Sequence, residues 1–234
     1  MQPEACAAAG EALPVETTAP TLAGPVREGA MEGVLRVVGE VGYRAASVRA
    51  VLEFSGGHRR QFYENFDSLE DCFAQAYETW LKRLGVTLLE VAVAVEGWRP
   101  AVRTGIMRLF QFVVEEPAIA RSLFVEVHIA GGQPMAAHDE AVTQFARALD
   151  SVRAEIGPDQ EPPAETGLFV VGGIEACVCD ALSEGDPNRI WEGLPELMRF
   201  VTGSYFDPQT AYEEAEEAKA LLADDRLEAG GEER

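Results

Sequence analysis

Cysteine is scarce in this chain of 234 residues, and its four cysteines do not have the pattern of a disulfide framework. Cys6 lies in a leader of low complexity, and Cys72 lies in a helical pattern. Cys177 and Cys179 are separated by one residue, so that on a helix their thiols point about 200° apart and chelate a metal poorly. We therefore predict reduced, mostly buried cysteines, no disulfide and no metal site.

Long apolar runs and a secretory signal are also missing. No run reaches the roughly 18 residues that a transmembrane helix needs. Residues 1–24 lack the basic start and apolar centre of a signal peptide, and they are rich in Ala, Pro, Thr and Glu without helical periodicity. We expect a cytoplasmic protein with no membrane partner, and a disordered N-terminal arm over residues 1–24.

Catalytic motifs are absent as well. The sequence contains no nucleophile–base–acid set, no glycine loop that would hold a phosphate and no metal-ligand spacing. The pair Gly172-Gly173 lies inside a helical pattern and is therefore no nucleotide fingerprint. We predict that the chain is not an enzyme and has no cofactor.

Positive charge is short overall but unevenly distributed. The chain has 19 Lys and Arg against 40 Asp and Glu, a net charge of −21, which excludes a general affinity for nucleic acid. Residues 25–66 nevertheless contain six arginines and five glutamates, a balance of +1 that leaves −22 for the remainder. A polyanion could dock only on this segment.

Helical periodicity is the main feature that the sequence does contain. Apolar residues over Ala30–Val41 recur on one helix face, and Gly42 is suited to end that helix in the left-handed conformation. Ser47 is placed to cap a second helix, and Ser55–Gly57 forms a turn. The pattern then predicts a third helix over His58–Asn65.

The remainder of the chain also reads as helical, and we predict no strands. Ser68 is placed to cap a long helix that extends to about Val95. Prolines mark the starts of later helices, and the predicted ranges are 100–115, 117–129, 134–155, 164–184, 186–205 and 211–223. The fold class is therefore all-α.

The third helix has a polar outward face. When Phe62 is placed inward, Phe66 and His58 fall inward or at the rim, while Arg60, Gln61, Tyr63 and Glu64 point outward with Arg59 on the flank. Arg can pair with guanine, Gln with adenine and Glu with cytosine, while a tyrosine hydroxyl suits phosphate oxygens. Helix, glycine turn and helix is the order of a helix-turn-helix. A solvated helix face without function is the alternative.

The segment from Val34 to Phe73 resembles the DNA-binding domain of the tetracycline-repressor-like (TetR) family of transcriptional regulators. In that family the first helix ends in Gly-Tyr or Gly-Phe, Thr or Ser caps the second, and an Ala-Gly turn leads to a recognition helix with an aromatic-Tyr pair. A Phe, a Ser and an acidic pair follow. The matching positions here are Gly42-Tyr43, Ser47-Val48, Ser55-Gly56, Phe62-Tyr63, Phe66, Ser68 and Glu70-Asp71.

Three positions depart from the family pattern. Arg60-Gln61 stands where the family has a Gly-Thr pair, so the base preference must differ. Leu69 replaces a lysine that touches phosphate, and Glu64 would repel a nearby phosphate. These departures fit a weak or specialised DNA binder, or a member that has lost DNA binding.

The resemblance implies a helix-turn-helix DNA-binding domain over residues 25–68 and a helical effector-binding and dimerisation domain over 69–206. It also implies a double-stranded, pseudo-palindromic DNA operator as partner. An acidic C-terminal tail follows over 207–234, with ten acidic and three basic residues, and we expect it to be solvated. The predicted DNA-contacting residues are Tyr43, Ser47, Arg49, His58, Arg59, Arg60, Gln61 and Tyr63.

The many large apolar side chains of the helical domain suggest a cavity for a small hydrophobic effector. A simple packed core is the alternative. His128 could orient a polar group of the ligand, although a surface or core histidine is the more common case. The candidate pocket residues are Trp80, Leu84, Met107, Phe110, Phe124 and His128.

The last two long helical runs have apolar faces that suit a homodimer interface. Two such hairpins paired across a two-fold axis would form a four-helix bundle, whereas packing within the protomer is the alternative. The candidate interface residues are Phe169, Ile174, Trp191, Leu194 and Met198.

Together with these patterns, the resemblance implies a ligand-responsive transcriptional regulator, a dimeric repressor that an effector releases from its operator. The alternative is a small-molecule sensor or partner-binding dimer of the same fold without DNA affinity.

Overall fold

The computed structural model describes residues 23–154, 156 and 162–231. Within these ranges the chain is helical and contains no strand, which confirms the predicted all-α class. The predicted N-terminal arm lies outside the described residues except for Ala23 and Gly24, which already belong to the first helix.

Three helices form an N-terminal head: α1 (Ala23–Val41), α2 (Val48–Ser55) and α3 (Arg59–Asn65). Gly42 ends α1 with φ +86° and Gly56 ends α2 with φ +67°, backbone conformations that favour glycine. The Ser47 hydroxyl caps α2 by accepting a hydrogen bond from the Ala50 N–H at 3.3 Å. Local signals therefore place these helices where the sequence predicts them.

The long helix α4 (Leu69–Val93) connects the head to the rest of the chain. The Ser68 hydroxyl caps it by accepting from the Asp71 N–H at 3.1 Å. In its first half Phe73 and Tyr77 are fully buried, and α4 packs against both α1 and the next helix, α5 (Trp98–Glu115). The helices from α4 onward are called the body.

A continuous helical segment follows α5, but its middle is irregular. It begins at Pro117 as α6 (Pro117–Arg121), passes through a π-helical turn (Ser122–Glu126) and ends as α7 (Val127–Ala130). Gly131, with φ +62°, then separates it from α8 (Gly132–Asp150). The sequence predicts this helix but not its π turn.

The remaining elements are α9 (Thr166–Glu184), a 3₁₀ turn over Pro187–Gly193, α10 (Leu194–Gly203) and α11 (Pro208–Gly231). Among the described helices, α9 is long and apolar enough to cross a membrane by length and composition alone. Its residues Val170, Ile174 and Val178 are packed in the core of the body, as expected of a core helix.

The acidic C-terminal helix α11 is partly covered. Its alanines at 211, 215 and 218 are buried, and it packs along α10. Glu214 is buried beside Arg103 and Arg99 of α5, with its Oε2 3.8 Å from the Arg99 Nη1. The predicted helix at 211–223 is thus solvated on only part of its surface.

Head and body share one hydrophobic core. It runs from Val34 and Val51 in the head through Phe73 to Leu123 and Val178 in the body. Because α1 packs against both α4 and the helix that begins at Pro117, the orientation of the head depends on this packing.

Candidate nucleic-acid interface

The inner side of α3 is aromatic and anchors this helix to the head. Phe62 is fully buried, and its ring centroid lies 5.3 Å from that of Phe66 and 5.4 Å from that of Tyr63. Phe62 and Phe66 bury the inward face of this two-turn helix, so the opposite face is held outward as the helical wheel predicts.

The outward face of α3 presents cations and a phenol to solvent. The Arg60 side chain is 90% exposed, and Tyr63 is 47% exposed. The guanidinium carbon of Arg59 lies 5.6 Å from the Tyr63 ring centroid, within cation–π range. Arg60 Nε donates to Glu64 Oε1 at 2.8 Å, which holds the guanidinium along the helix surface. The face can thus offer paired donors to base edges or phosphates.

Gln61 and His58 meet at the start of α3. The Gln61 Oε1 accepts a hydrogen bond from the His58 N–H at 3.2 Å, half of a capping box. Gln61 is half-buried, whereas His58 is exposed at the N-terminal end of the helix. In this state the Gln61 carbonyl is engaged by the backbone, and reading a base with both atoms of its amide would require that bond to break.

The predicted contacts before α3 differ in how far they reach the surface. Ser47 and Arg49 are exposed at the start of α2, and Arg49 Nε donates to Glu53 Oε1 at 2.8 Å. Tyr43 is half-buried, with its ring centroid 5.0 Å from that of Phe73. Burial, and then the charge of Glu70, raise the pKa of the Tyr43 hydroxyl above its ordinary value.

The six candidate pocket residues lie in different environments. Leu84, Phe110 and Phe124 are buried, and Trp80 and Met107 are half-buried against the core. His128 is exposed, with its ring centroid 5.3 Å from that of His138. An open groove on α10 is lined by residues other than these six, namely Glu196, Arg199, Phe200, Gly203 and Ser204. The effector pocket remains a prediction.

A chain of polar groups that sequence reasoning missed crosses the body, and its first two members, Tyr77 and His138, are buried. The Tyr77 hydroxyl lies 3.1 Å from the Leu123 carbonyl oxygen, to which it donates, and 3.0 Å from His138 Nδ1. His138 Nε2 lies 3.2 Å from Glu175 Oε1. Burial raises the pKa of Tyr77 well above its ordinary value. In the sequence, the only indication of these contacts was that a tyrosine and a histidine each lie on the apolar face of a predicted helix.

The candidate interface residues divide into buried and exposed ones. Leu194 and Met198 are fully buried within the protomer, and Ile174 is buried too. Trp191 packs against Phe110, with ring centroids 5.7 Å apart. Phe169 is 68% exposed, and its neighbour Leu168 and Phe200 of α10 are also exposed. Exposed apolar side chains on α9 and α10 are the part of this surface that a partner could cover.

Metal-ligating side chains do not cluster anywhere in the part of the chain that the structure describes. Cys72 is buried, and Cys177 and Cys179 are half-buried with pKa values that burial raises. Cys6 lies outside the described residues.

Comparison with known proteins gives matches in structure only. No protein-family model and no curated protein matches the sequence. The fatty acid degradation regulator FadR of Bacillus halodurans superimposes with a TM-score of 0.63 at 14% identity, over 74% of this chain and 95% of that one. A gamma-butyrolactone receptor, an ArpA-like protein, superimposes with 0.63 at 13% identity, over 86% and 98%. A TetR family transcription regulator of Marinobacter aquaeolei superimposes with 0.56 at 16% identity, over 81% and 95%.

The chain therefore has the all-helical fold of TetR-family transcriptional regulators, with a helix-turn-helix head at its N-terminus. The resemblance inferred from the segment between Val34 and Phe73 is confirmed at the level of the fold.

Proposed function

We propose that this protein is a TetR-family transcriptional regulator that binds a pseudo-palindromic operator in the cytoplasm. The observation that carries the proposal is the division of α3. Phe62 and Phe66 fix the helix in the core while Arg59, Arg60 and Tyr63 face solvent. This arrangement, in a fold that solved regulators share, suits a recognition helix.

A homodimer is part of the proposal. Two copies of α3 about 34 Å apart would enter successive major grooves on one side of the duplex. The exposed Phe169, Leu168 and Phe200 support pairing through α9 and α10, because apolar side chains of this size are more stable when a partner covers them. A four-helix bundle across the two-fold axis would result. Such a dimer blocks transcription sterically, which makes repression the default mode.

The proposed effector is a small hydrophobic molecule. Two of the structural relatives are a fatty acid degradation regulator and a gamma-butyrolactone receptor, names that fit ligands of this class. The effector would enter the body near Trp80, Leu84 and Phe110 and shift α4, whose Phe73 contacts Tyr43 of the head. It can release DNA only if it binds the released geometry more tightly than the bound one.

The second candidate is a sensor dimer of the same fold without DNA affinity. Glu64 favours it, because its carboxylate stands on the DNA-facing side of α3 and pairs with Arg60. Leu69 favours it too, because one ionic phosphate contact is lost.

A mobility-shift experiment separates the two candidates. The probe is the pseudo-palindrome in the DNA upstream of the chain's own coding sequence, titrated at several salt concentrations. A regulator binds with an affinity that falls steeply as salt rises, because phosphate contacts release counterions. The double variant Arg60→Ala with Tyr63→Phe should weaken binding roughly 10-fold or more, whereas Arg147→Ala, an exposed arginine on α8, should not. Unchanged binding by the double variant contradicts the residue assignment, and no salt-dependent binding contradicts the regulator.

A further inference from the structure

The π-helical turn Ser122–Glu126 is bonded to three other helices, α1, α4 and α9. Two of its backbone carbonyls accept bonds from other helices of the body. The Tyr77 hydroxyl of α4 donates to the Leu123 carbonyl at 3.1 Å, and Cys179 Sγ of α9 lies 3.5 Å from the Phe124 carbonyl oxygen. Such turns replace the regular helical pairing over a few residues and often occur at functional sites.

The side chains of the same turn bond to the head. Ser122 Oγ donates to the Leu35 carbonyl of α1 at 2.6 Å. Glu126 Oε2 accepts a hydrogen bond from the Tyr43 backbone N–H at 2.9 Å. The first residue of the turn thus holds α1, and the last holds the Gly42-Tyr43 corner that leads into α2.

Glu126 is a buried carboxylate with a partner at each of its two oxygens. Its side chain is only 4% exposed, and its other oxygen lies 3.5 Å from Arg121 Nη2. A buried carboxylate is stable only while its hydrogen bonds and charge partner are in place. If the head swung away from the body, the Glu126 carboxylate and the Tyr43 N–H would both lose their partner. The contact therefore restrains where the head stands.

The polar chain of the body ends at the Leu123 carbonyl of this turn. Tyr77 joins the Leu123 carbonyl to His138 of α8, and His138 joins Glu175 of α9. A series of polar contacts thus runs from Glu175 of α9 through His138 of α8 and Tyr77 of α4 to the turn. Any shift among these three helices changes the support of the turn that carries Glu126.

We propose that Glu126 is a positioning residue for the DNA-binding head, and that the π turn transmits movements of α4, α8 and α9 to it. A return of residues 122–126 to regular α-helical pairing would rotate Glu126 by about 100° around the helix axis. That rotation withdraws the carboxylate from Tyr43 and frees the Gly42-Tyr43 corner. The effect on operator binding rests on the proposed function, whereas the head–body coupling does not.

The coupling is tested without DNA or effector, by hydrogen–deuterium exchange of the full chain read by mass spectrometry. Tyr77→Phe removes only the hydroxyl that reaches Leu123 and His138, and it leaves the ring in the core. We expect peptides covering 42–50 to exchange about fivefold faster, although Tyr77 lies in the body. Tyr205→Phe is the matched control, because it removes a buried hydroxyl that donates to Asp150 Oδ1 at 2.8 Å. It should leave these peptides unchanged.

Two substitutions at residue 126 separate positioning from general packing. Glu126→Gln keeps an oxygen that can accept the Tyr43 N–H, so exchange over 42–50 should stay close to that of the wild type. Glu126→Leu removes the acceptor and should accelerate exchange there. If Gln exchanges as fast as Leu, or if Tyr77→Phe leaves 42–50 unchanged, the proposal is wrong. Circular dichroism checks that each variant folds. If Glu126→Leu does not fold, the exchange of Tyr77→Phe over residues 42–50 decides the proposal.

A DNA arm keeps this proposal distinct from the proposed function. Wild-type protein selects duplexes from a random pool, and Tyr77→Phe is then titrated against the selected duplex. An altered affinity together with faster exchange supports the coupling. If the wild type selects no duplex, the regulator hypothesis fails while the exchange data still decide the coupling. If it selects a duplex but exchange is unaltered, only the coupling fails.

Discussion

Gly39 of α1 lies so close to Ala118 of α6 that a Cβ at residue 39 would stand 1.8 Å from the Ala118 carbonyl oxygen. The obstacle is backbone, which cannot move aside as a flexible side chain can. Next to it, Arg36 Nη2 pairs with Glu116 Oε2 at 2.7 Å. The head is therefore seated against the body along the last turns of α1.

We expect Gly39→Ala to destabilise the fold by roughly 1–3 kcal/mol, because the added methyl forces α1 away from α6. Gly29→Ala is the matched control on the same helix, since its Cβ would make only ordinary contact with Ser55 at 3.8 Å. That control should gain roughly 0.5–1 kcal/mol from helix propensity. Urea denaturation measures both, and equal stabilities would contradict the close approach.

Glu64→Gln should strengthen DNA binding. The change removes a negative charge from the face of α3 and releases Arg60 from its pair at 2.8 Å. We expect an affinity gain of roughly 3- to 10-fold at low salt. Glu115→Gln, an exposed carboxylate paired with Arg108 on α5, is the charge-matched control and should change nothing. A loss of affinity would mean instead that Glu64 itself contacts a base.

Phe169→Glu should convert the proposed dimer to a monomer, because the charge would be buried at the centre of an apolar contact between α9 helices. Leu89→Glu is the control. It places the same charge on α4, where Leu89 is also exposed, and this variant should remain a dimer. Sedimentation equilibrium measures the molecular mass of each variant in solution. A wild type that is already monomeric, or a dimer that survives Phe169→Glu, would exclude this interface.

The buried Cys72 thiol should make the fold less stable in alkaline solution. Burial, and then the charge of Asp71, raise the pKa of Cys72 from 9.0 to about 12. Between these values the unfolded chain loses the thiol proton while the folded chain keeps it, so stability is complete below pH 9 and falls as pH approaches 12. In this range the free energy of unfolding falls by up to about 1.4 kcal/mol per pH unit.

Cys72→Ala isolates this effect. The variant starts from a lower stability at pH 7 because of the cavity, but its stability should fall less steeply between pH 9 and 12. Thermal melts across that range give the comparison, and parallel curves for the two proteins would rule out the thiol as the source. Tyr77, whose pKa burial also raises, is present in both proteins and cancels.

The sequence was sufficient where the determining interactions are local. Gly42 and Gly56 adopt the left-handed conformation, and Ser47 and Ser68 cap the helices that they precede. The aromatic spacing of α3 likewise fixes which side of that helix is buried. Each of these features depends on residues within four positions of one another, which a single sequence displays.

Contacts between helices could not be obtained in the same way. Glu126 looks like an ordinary surface glutamate in the sequence, yet it is buried because α1 and the Tyr43 corner pack over it. His138 and His128 are equally isolated along the chain and lie on helices that Gly131 separates, yet His138 is buried and His128 is exposed. Such outcomes depend on which helices meet.

The burial of Leu194 and Met198 has a similar cause. Both residues lie on the apolar face of α10 that suggested a dimer contact, but the body and α11 supply intramolecular neighbours. The apolar contacts of α11 include the buried alanines at 211, 215 and 218, whose small surface is hard to recognise among so many acidic residues. The dimer prediction therefore now rests on Phe169 and its exposed neighbours.

The acidic helix α11 thus stabilises the packing of the body in addition to carrying negative charge. Glu214 neutralises Arg103 and lies near Arg99, while the alanine seam covers α10. Trimming the chain after residue 207 to lower its negative charge would leave the largely buried Arg103 without Glu214 and would uncover apolar surface. Shortened versions designed for crystallisation or for fusion to other proteins should therefore keep this helix at least through Ala218.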